Sequence, residues 1–280
     1  MIMKRFNKIY LEISNICNLN CSFCPGTRRE KKFMSREEFR LLAERLRPHT
    51  DYLYFHLMGE PLLHPELEYF LAHAGELGFR VILTTNGTLL PEQAELLLAA
   101  PALHKVNISL QSFEANPGGE LPDYLDGCAR FAQRMSGKGK LCVLRLWNHK
   151  GLESLNGEIR TILAQYFPEP WRESRMSLLL GEKVWLEPGE KFDWPDLSVG
   201  ELGQQCFCYG LRDQIGVLCD GTVVPCCLDH EGDLALGNLL SEPLADILEG
   251  ERARTIYEGF SRRQAVEELC RKCGYARRFT

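Results

Sequence analysis

Residues 17–25 read Cys-Asn-Leu-Asn-Cys-Ser-Phe-Cys-Pro and place Cys17, Cys21 and Cys24 in the order C-x3-C-x2-C. The polar residues between these cysteines predict a short loop rather than a helix or strand. Three soft thiolates on one loop suit an iron-sulfur cluster or a zinc ion. A 4Fe-4S cluster needs four ligands, and the next cysteine along the chain is Cys128. One iron would therefore keep an open position, as the metal of a catalytic zinc site does.

This loop resembles the signature of radical S-adenosylmethionine (SAM) enzymes, in which an aromatic residue, here Phe23, precedes the last cysteine. The resemblance implies a 4Fe-4S cluster held by Cys17, Cys21 and Cys24, with SAM bound to the fourth iron and Phe23 beside the cofactor. It also implies reductive cleavage of SAM to a 5′-deoxyadenosyl radical, which takes a hydrogen atom from a substrate. A zinc knuckle or a set of metal-free thiols is the alternative that short cysteine motifs leave open.

The composition is that of an ordinary globular protein. The chain has 280 residues, of which 45% are hydrophobic and 25% charged, and its formal net charge is −5. This charge predicts no nucleic-acid partner, and the four basic residues near the end are interpreted as a solvated tail. No signal segment and no membrane span is found, and the cysteines are grouped at ligand spacings, so we predict a cytoplasmic protein without a membrane partner. The four basic residues are Arg271, Lys272, Arg277 and Arg278.

The order of the predicted elements indicates an α/β fold. From residue 8 to residue 167, short apolar runs alternate with helical patterns, which is typical of a parallel sheet built from βαβ units. Ser35 and Glu38 predict a capping box for the first helix. Gly181-Glu182 predicts a hairpin or a final strand and return, and Asp220-Gly221 predicts a second hairpin. We predict a partial (β/α)6 barrel over residues 1–196 and a small cysteine-rich domain over residues 197–280.

The run Met58-Gly59-Glu60-Pro61 follows the second predicted strand. Chemistry in parallel α/β folds gathers on the loops that follow the strands. The run resembles the G-G-E-P stretch of radical SAM proteins, with Met58 in place of the first glycine. The resemblance implies that Gly59 and Glu60 hold the amino group of SAM. The alternative is a plain strand-to-turn transition with a glutamate at the surface.

Four more residues are predicted to contact the cofactor. Asn86, Ser109 and Gln111 follow the third and fourth strands, where radical SAM enzymes often place polar contacts to the carboxylate or ribose of SAM. Turn chemistry explains Asn86-Gly87 about as well. Arg145 lies in an apolar strand and needs a partner if it points inward, which a carboxylate of SAM or of a substrate would supply. An arginine that points outward between helices is the alternative.

A second group of cysteines lies near the C-terminus. Cys208, Cys226, Cys270 and Cys273 give C-x17-C and C-x2-C, with Gly221 five residues before the second cysteine. This pattern resembles the shortened SPASM, or "twitch", module, which holds one auxiliary 4Fe-4S cluster. The chain ends seven residues past Cys273, so one auxiliary cluster is expected. A zinc ribbon with four cysteine ligands is the alternative.

Three cysteines in the same region are surplus to this ligand set. Cys206 could replace Cys208, although the spacing of Cys208 fits the one-cluster module better. Cys219 and Cys227 have no assigned role, and the alternatives are that both are packed thiols or that one of them donates a hydrogen atom.

The leading hypothesis is a radical SAM oxidoreductase that completes a two-electron oxidation, such as alcohol to ketone, through the auxiliary cluster. It would take electrons from a flavodoxin or ferredoxin-type donor and act on a small molecule or a peptide. The alternative is a peptide- or protein-modifying maturase, although only sixteen residues precede Cys17, too few for a leader-binding domain. A non-catalytic zinc or cluster scaffold is the third hypothesis. The sequence does not predict the substrate, because the residues that face the interior of a barrel follow no recognisable spacing.

Overall fold

The structure is a computed structural model that describes residues 4–116 and 118–279. In this part of the chain the strands are β1 (Lys8–Leu11), β2 (Tyr52–Phe55), β3 (Arg80–Thr85), β4 (Leu103–Ser109), β5 (Leu141–His149), β6 (Arg172–Ser174), β7 (Ser177–Gly181), β8 (Val184–Glu190), β9 (Gln214–Val217), β10 (Thr222–Val224) and β11 (Gly237–Asn238). They form a mixed sheet in the order β11-β10-β9-β1-β2-β3-β4-β5-β8-β7-β6.

Six neighbouring strands of the described chain, β1, β2, β3, β4, β5 and β8, run parallel. Helices connect them, as parallel strands require. The helices are α1 (Arg36–Leu46), α2 (Leu67–Glu76), α3 (Leu90–Ala99), α4 (Gln111–Glu114), α5 (Leu121–Gly137), α6 (Asn156–Tyr166), α7 (Leu244–Glu249), α8 (Glu251–Ser261) and α9 (Glu268–Arg271). The predicted α/β class with a partial (β/α)6 barrel is confirmed.

Local signals in the sequence placed most of these elements. Helix α1 begins with the predicted capping box, because the Glu38 amide donates to Ser35 Oγ at 3.2 Å and the Ser35 amide donates to Glu38 Oε2 at 2.8 Å. Strands β7 and β8 form the predicted antiparallel hairpin, and β8 also supplies the sixth parallel strand. The short elements β6 and α4 were not predicted, since three or four residues are too few to show a period.

The C-terminal segment joins the barrel through its sheet. Strand β9 lies parallel to β1, with Ile9 opposite Ile215, and β10 returns antiparallel to β9. The turn between β9 and β10 contains Gly221 with φ of +86°, and a Cβ there would lie 2.6 Å from Leu240 Cγ. The hairpin predicted at Asp220-Gly221 is therefore confirmed, and only glycine fits its tight turn.

Apolar side chains between the sheet and the helices form the core. Phe39 of α1 stacks on Phe70 of α2 with ring centroids 4.1 Å apart, and both side chains are fully buried. Cys128 of α5 and Cys142 of β5 are also fully buried there and line neither thiol cavity described below. Among the described residues, no helix has the length and apolar character needed to cross a membrane.

The prediction of a solvated basic tail is wrong for Arg271 and Lys272, whereas Arg277 and Arg278 are exposed. Arg271 Nε lies 2.7 Å from Glu201 Oε1, and Lys272 Nζ lies 2.7 Å from Glu268 Oε1. The side chain of Lys272 is buried and also donates to the Leu197 carbonyl at 2.5 Å. Arg271 and Lys272 have fixed partners because α9 packs into the C-terminal segment and places both side chains beside acceptors.

Candidate active site

The loop that follows β1 brings Cys17, Cys21 and Cys24 to one cavity of about 240 Å³, here called the loop thiol cavity. Cys17 and Cys24 are exposed and Cys21 is half-buried, so a ligand can reach the sulfurs from the cavity. Five of the seven residues predicted to hold SAM line the same cavity, namely Phe23, Gly59, Glu60, Asn86 and Ser109. The remaining two, Gln111 and Arg145, line a neighbouring cavity described below.

N–H groups point at the sulfurs of the loop. Asn116 Nδ2 donates to Cys21 Sγ at 2.9 Å, and the Leu19 amide donates to Cys17 Sγ at 3.5 Å. Burial raises the pKa of Cys21 to about 11, and the hydrogen bond from Asn116 acts against that rise. Such donors stabilise a thiolate once a metal has displaced its proton. Three accessible thiols with N–H partners fit an iron-sulfur cluster, and no sequence spacing pointed to Asn116.

The backbone at Gly59 packs directly against the segment that leads to the cysteine loop. Gly59 has φ of +78°, and a Cβ there would lie 2.5 Å from the Ser14 carbonyl oxygen. The amide of Glu60 donates to the Ile16 carbonyl at 2.8 Å. Only glycine tolerates this approach, so the position could not carry a side chain. The turn after β2 is thereby held beside Cys17.

Glu60 is a buried carboxyl rather than the surface glutamate of the alternative interpretation, since only 1% of it is exposed. Its Oε1 accepts from the Leu62 amide at 3.0 Å and its Oε2 accepts from the Asn86 amide at 2.8 Å. Burial raises the pKa of Glu60 to about 7, although these two amides lower it. The carboxyl therefore changes charge near neutral pH, at the wall of the loop thiol cavity.

Asn86 links the turn after β3 to the cysteine loop. Its Nδ2 donates to Asn18 Oδ1 at 2.9 Å and lies 4.0 Å from Cys17 Sγ. Its Oδ1 accepts from the Thr88 amide at 2.9 Å, which is the turn chemistry expected of Asn-Gly. The turn interpretation of Asn86 is therefore confirmed, and its contact with SAM stays a prediction.

A buried ion pair that the sequence analysis missed joins the cysteine loop to the C-terminal segment. Arg29 donates to Glu12 Oε1 at 2.7 Å and to Oε2 at 2.9 Å, and Glu12 is 1% exposed. Glu12 also accepts from the amides of Met58 at 3.2 Å and Cys219 at 3.0 Å. Arg29 Nε donates to the His230 carbonyl at 2.8 Å. The sequence signal for this ion pair was Glu12, which directly follows the apolar strand β1, because a buried charge needs a partner.

The inner face of the parallel strands encloses a cavity of about 460 Å³, here called the central cavity. Arg145 points into it, with Nε 4.0 Å from Glu187 Oε2 and the guanidinium 4.5 Å from the centre of the Trp147 ring. The alternative of an outward-facing arginine is therefore wrong. Residues that line both the central cavity and the loop thiol cavity are Phe23, His56, Thr84, Ser109 and Trp194.

The C-terminal cysteines meet in a cavity of about 360 Å³, here called the C-terminal thiol cavity. In the described chain its lining includes Cys206, Cys208, Cys226, Cys270 and Cys273. Burial raises the pKa of Cys208 to about 12. Burial also raises the pKa of Cys226, and the nearby Cys208 raises it further. The structure thus brings the four predicted ligands together and adds Cys206 to them. Residues shared with the central cavity are Lys8, Gln214, Leu228 and Tyr275.

Cys219 and Cys227 have different surroundings. Cys219 is buried beside the Glu12–Arg29 pair, with its sulfur 3.9 Å from an Arg29 nitrogen. Cys227 lines the central cavity, where burial raises its pKa to about 11 and a hydrogen bond with Tyr10 lowers it. Cys219 is thus a packed thiol, and Cys227 is a thiol that faces the cavity.

Two protein families match this chain. The radical SAM superfamily matches residues 11–153, and an iron-sulfur cluster-binding domain of the SPASM type matches residues 206–274. Together these matches cover strands β2 to β5 and all the described cysteines of the C-terminal thiol cavity.

Curated relatives carry out several reactions. A GTP 3′,8-cyclase of Microcystis aeruginosa is 25% identical, over 89% of this chain and 90% of its own length. An S-adenosyl-L-methionine-dependent 2-deoxy-scyllo-inosamine dehydrogenase of Niallia circulans is 34% identical, over 32% of this chain and 39% of its own length.

Two crystal structures share the fold. BtrN in complex with AdoMet and 2-DOIA has a TM-score of 0.63 and 18% identity, over 97% of this chain and 94% of that one. Streptococcus suis SuiB bound to the precursor peptide SuiA has a TM-score of 0.61 and 15% identity, over 97% of this chain and 70% of that one. At these identities the likeness establishes the architecture alone.

Proposed function

Since this chain belongs to the radical SAM superfamily and carries a SPASM-type iron-sulfur domain, we propose that it is an oxidoreductase that acts on a substrate in the central cavity. When bound, SAM and its 4Fe-4S cluster supply a 5′-deoxyadenosyl radical, and the auxiliary cluster supplies an electron acceptor. The substrate loses one hydrogen atom, one electron and one proton, which together amount to a two-electron oxidation such as alcohol to ketone.

The observation that carries this proposal is the position of the central cavity. It shares lining residues with the loop thiol cavity on one side and with the C-terminal thiol cavity on the other. Ser109 and Trp194 lie at the first junction, and Tyr275 and Gln214 lie at the second. A substrate held there would be adjacent both to the site of hydrogen abstraction and to an electron acceptor, and proximity of this kind is what oriented reactions require.

The chain's own residues have defined tasks in this proposal. Cys17, Cys21 and Cys24 would hold the first cluster, with Phe23 beside it and the Asn116 amide directed at one sulfur. Gly59 and Glu60 would hold the amino group of SAM. Asn86 and Ser109 are the further contacts proposed for SAM, and Gln111 and Arg145 line the central cavity beside them.

For the auxiliary cluster we propose the ligands Cys208, Cys226, Cys270 and Cys273. Four thiolates would fill its coordination, so that substrate does not bind iron there and the cluster serves electron transfer. These assignments accompany a division of the chain into a barrel over residues 1–196 and an auxiliary domain over residues 197–280. A flavodoxin or ferredoxin-type protein in the cytoplasm would supply the reducing electron.

The test uses anaerobically reconstituted protein with SAM and dithionite. Wild type should form 5′-deoxyadenosine without added substrate, whereas a non-catalytic scaffold would form none. With the small-molecule fraction of an anaerobic cell extract, a product lighter than its precursor by two hydrogen atoms should accumulate. Cys270→Ala should still cleave SAM but lose this product, and Cys128→Ala, altered in the core, is the control. Product formation by Cys270→Ala would refute the electron-transfer role.

The second candidate is modification of a peptide or protein. It is favoured by the match to SuiB bound to its precursor peptide, because that fold covers 97% of this chain. A peptide that alone stimulates 5′-deoxyadenosine formation, in an extract from which small molecules have been removed, would support it. The cyclase among the relatives carries out a third kind of reaction.

A further inference from the structure

The central cavity carries an excess of positive charge. Its described lining includes four cationic side chains and one carboxylate, that of Glu187. The cations are Lys8, Lys105, Arg145 and Lys191. Burial and the nearby Arg145 lower the pKa of His56 to about 4, so this histidine adds no charge at neutral pH. The volume of about 460 Å³ lies in the range of small-molecule sites, which is roughly 300–1,000 Å³.

Arg145 is held in place without being fully paired. Its Nε is buried and has no hydrogen-bond partner, and the nearest carboxylate oxygen, on Glu187, lies 4.0 Å away. The other oxygen of Glu187 accepts from Trp147 Nε1 at 3.1 Å. A guanidinium stays charged when buried, so its unpaired donor carries a desolvation cost that an anionic ligand would remove. Lys105 faces the same space, and burial and the charge of Arg145 both lower its pKa.

Two residues that line the cavity also have unpaired side-chain carbonyl oxygens. Asn107 Oδ1 and Gln111 Oε1 are buried without a hydrogen-bond partner, and their residues are 1% and 7% exposed. Asn107 Nδ2 donates to Thr84 Oγ1 at 3.2 Å, which leaves the oxygen of the amide free. In the described chain, three of the five buried side-chain atoms without a partner therefore belong to residues that line this one cavity. Native proteins rarely leave such groups unpaired, so their concentration indicates a ligand site.

We propose that the central cavity binds a small substrate with an anionic group, a phosphate or carboxylate, between Arg145 and Lys105. Hydroxyl or N–H groups of the same substrate donate to the oxygens of Asn107 and Gln111. This inference rests on the proposed function. It narrows the substrate to an anionic metabolite that also carries hydroxyl or amine groups. The carboxylate of SAM has the same chemistry as the proposed anion, so the test separates these two sources.

Inorganic phosphate is the first probe, applied to the anaerobically reconstituted full chain at constant ionic strength. Phosphate should raise the melting temperature of wild type and of Lys138→Gln, in which an exposed lysine outside the cavity is changed. The rise should fall by at least about half in Arg145→Gln and in Lys105→Gln, because each removes one charge-assisted contact. Equal shifts in all four proteins, or no shift in wild type, would overturn the proposal.

A titration with SAM supplies the second arm. In Arg145→Gln the response to phosphate should fall by a larger factor than the affinity for SAM. The opposite result would assign the guanidinium to SAM and overturn the substrate assignment, while leaving the radical SAM function intact. Failure of the proposed function itself would instead show as absence of 5′-deoxyadenosine from wild type.

Glycerol phosphate tests the role of the carbonyl oxygens. Its hydroxyl groups should add to the shift produced by phosphate, and Gln111→Ala should reduce that addition by at least about half. An addition of the same size in Gln111→Ala would overturn the assignment of this residue.

Discussion

The loop thiol cavity and the C-terminal thiol cavity differ in the number of their sulfurs and in the exposure of those sulfurs. Cys17 and Cys24 of the first are exposed, whereas the five described cysteines of the second range from half-buried to buried. Burial also raises the pKa of Cys208 to about 12, against about 11 for Cys21.

This difference matches the division of roles proposed for the two sites. In that proposal three accessible thiols leave a metal position for an external ligand, whereas four secluded thiols fill the coordination of the second cluster and keep substrate out. Seclusion also removes water from around a cluster, which is one means by which a protein tunes a redox potential. The central cavity lies between the two sites and adjoins both.

The largest expected effect comes from Cys21→Ser. Changes near a metal ligand alone cost about 10–100-fold in affinity or activity, so loss of a ligand should lower 5′-deoxyadenosine formation by more than about 100-fold. Roughly half of the iron should remain, because the C-terminal thiol cavity is untouched. Iron analysis and chromatography of the nucleoside measure both quantities. Loss of all iron would show that the two sites do not assemble independently.

A pair of variants sharpens the assignment of the second site. Cys208→Ser should reduce bound iron by up to about four atoms per chain, whereas Cys206→Ser should reduce it by less than about one. The two residues line the same cavity, so each is the other's control. EPR spectra of the reduced proteins should show the auxiliary signal in Cys206→Ser alone. The reverse pattern would make Cys206 the ligand.

The smallest expected effect concerns the charge of Glu60. Its pKa in the folded protein is raised from 4.5 to about 7 by burial, so its contribution to stability is complete below about pH 4.5 and is lost as the pH rises through 7. Between about pH 6 and pH 8 the unfolded state has already lost this proton, whereas the folded state loses it gradually. Over this range the free energy of unfolding therefore falls by about 1.4 kcal/mol.

Thermal unfolding of wild type and Glu60→Gln at these two pH values measures this contribution. Glu60→Gln should be less stable overall, because both carboxylate oxygens accept backbone amides, but its melting temperature should depend less on pH. Glu95→Gln, which removes an exposed carboxylate, should keep the wild-type dependence and is the control. An equal pH dependence in wild type and Glu60→Gln would contradict the shift.

Much of the fold was predictable because its signals are local. The capping box of α1, the hairpin of β7 and β8 and the glycine turn before β10 each depend on a few consecutive residues. The position of functional residues on loops after strands follows from parallel topology and placed Cys17, Gly59 and Asn86 at one mouth.

Other parts of the site were not predictable from spacing. Asn116 contacts Cys21 across 95 positions of the chain, and Arg29 contacts Glu12 and the carbonyl of His230 at once. The basic residues of α9 were misinterpreted because their acidic partners include Glu201, 70 residues away. Contacts between residues so far apart in the sequence depend on how the helices and strands pack together, and no local sequence pattern predicts them.

The amino-acid sequence by itself determined the two sets of cysteines, the alternation of strands and helices, and the family to which both belong, because ligand spacing and hydrophobic period are written along the chain. Only the tertiary structure decided that Arg145 points inward, that five thiols share the C-terminal cavity, and that one cavity adjoins both thiol sites. The physical reason is that side-chain direction and cavity shape arise from the packing of strands that lie far apart in the chain.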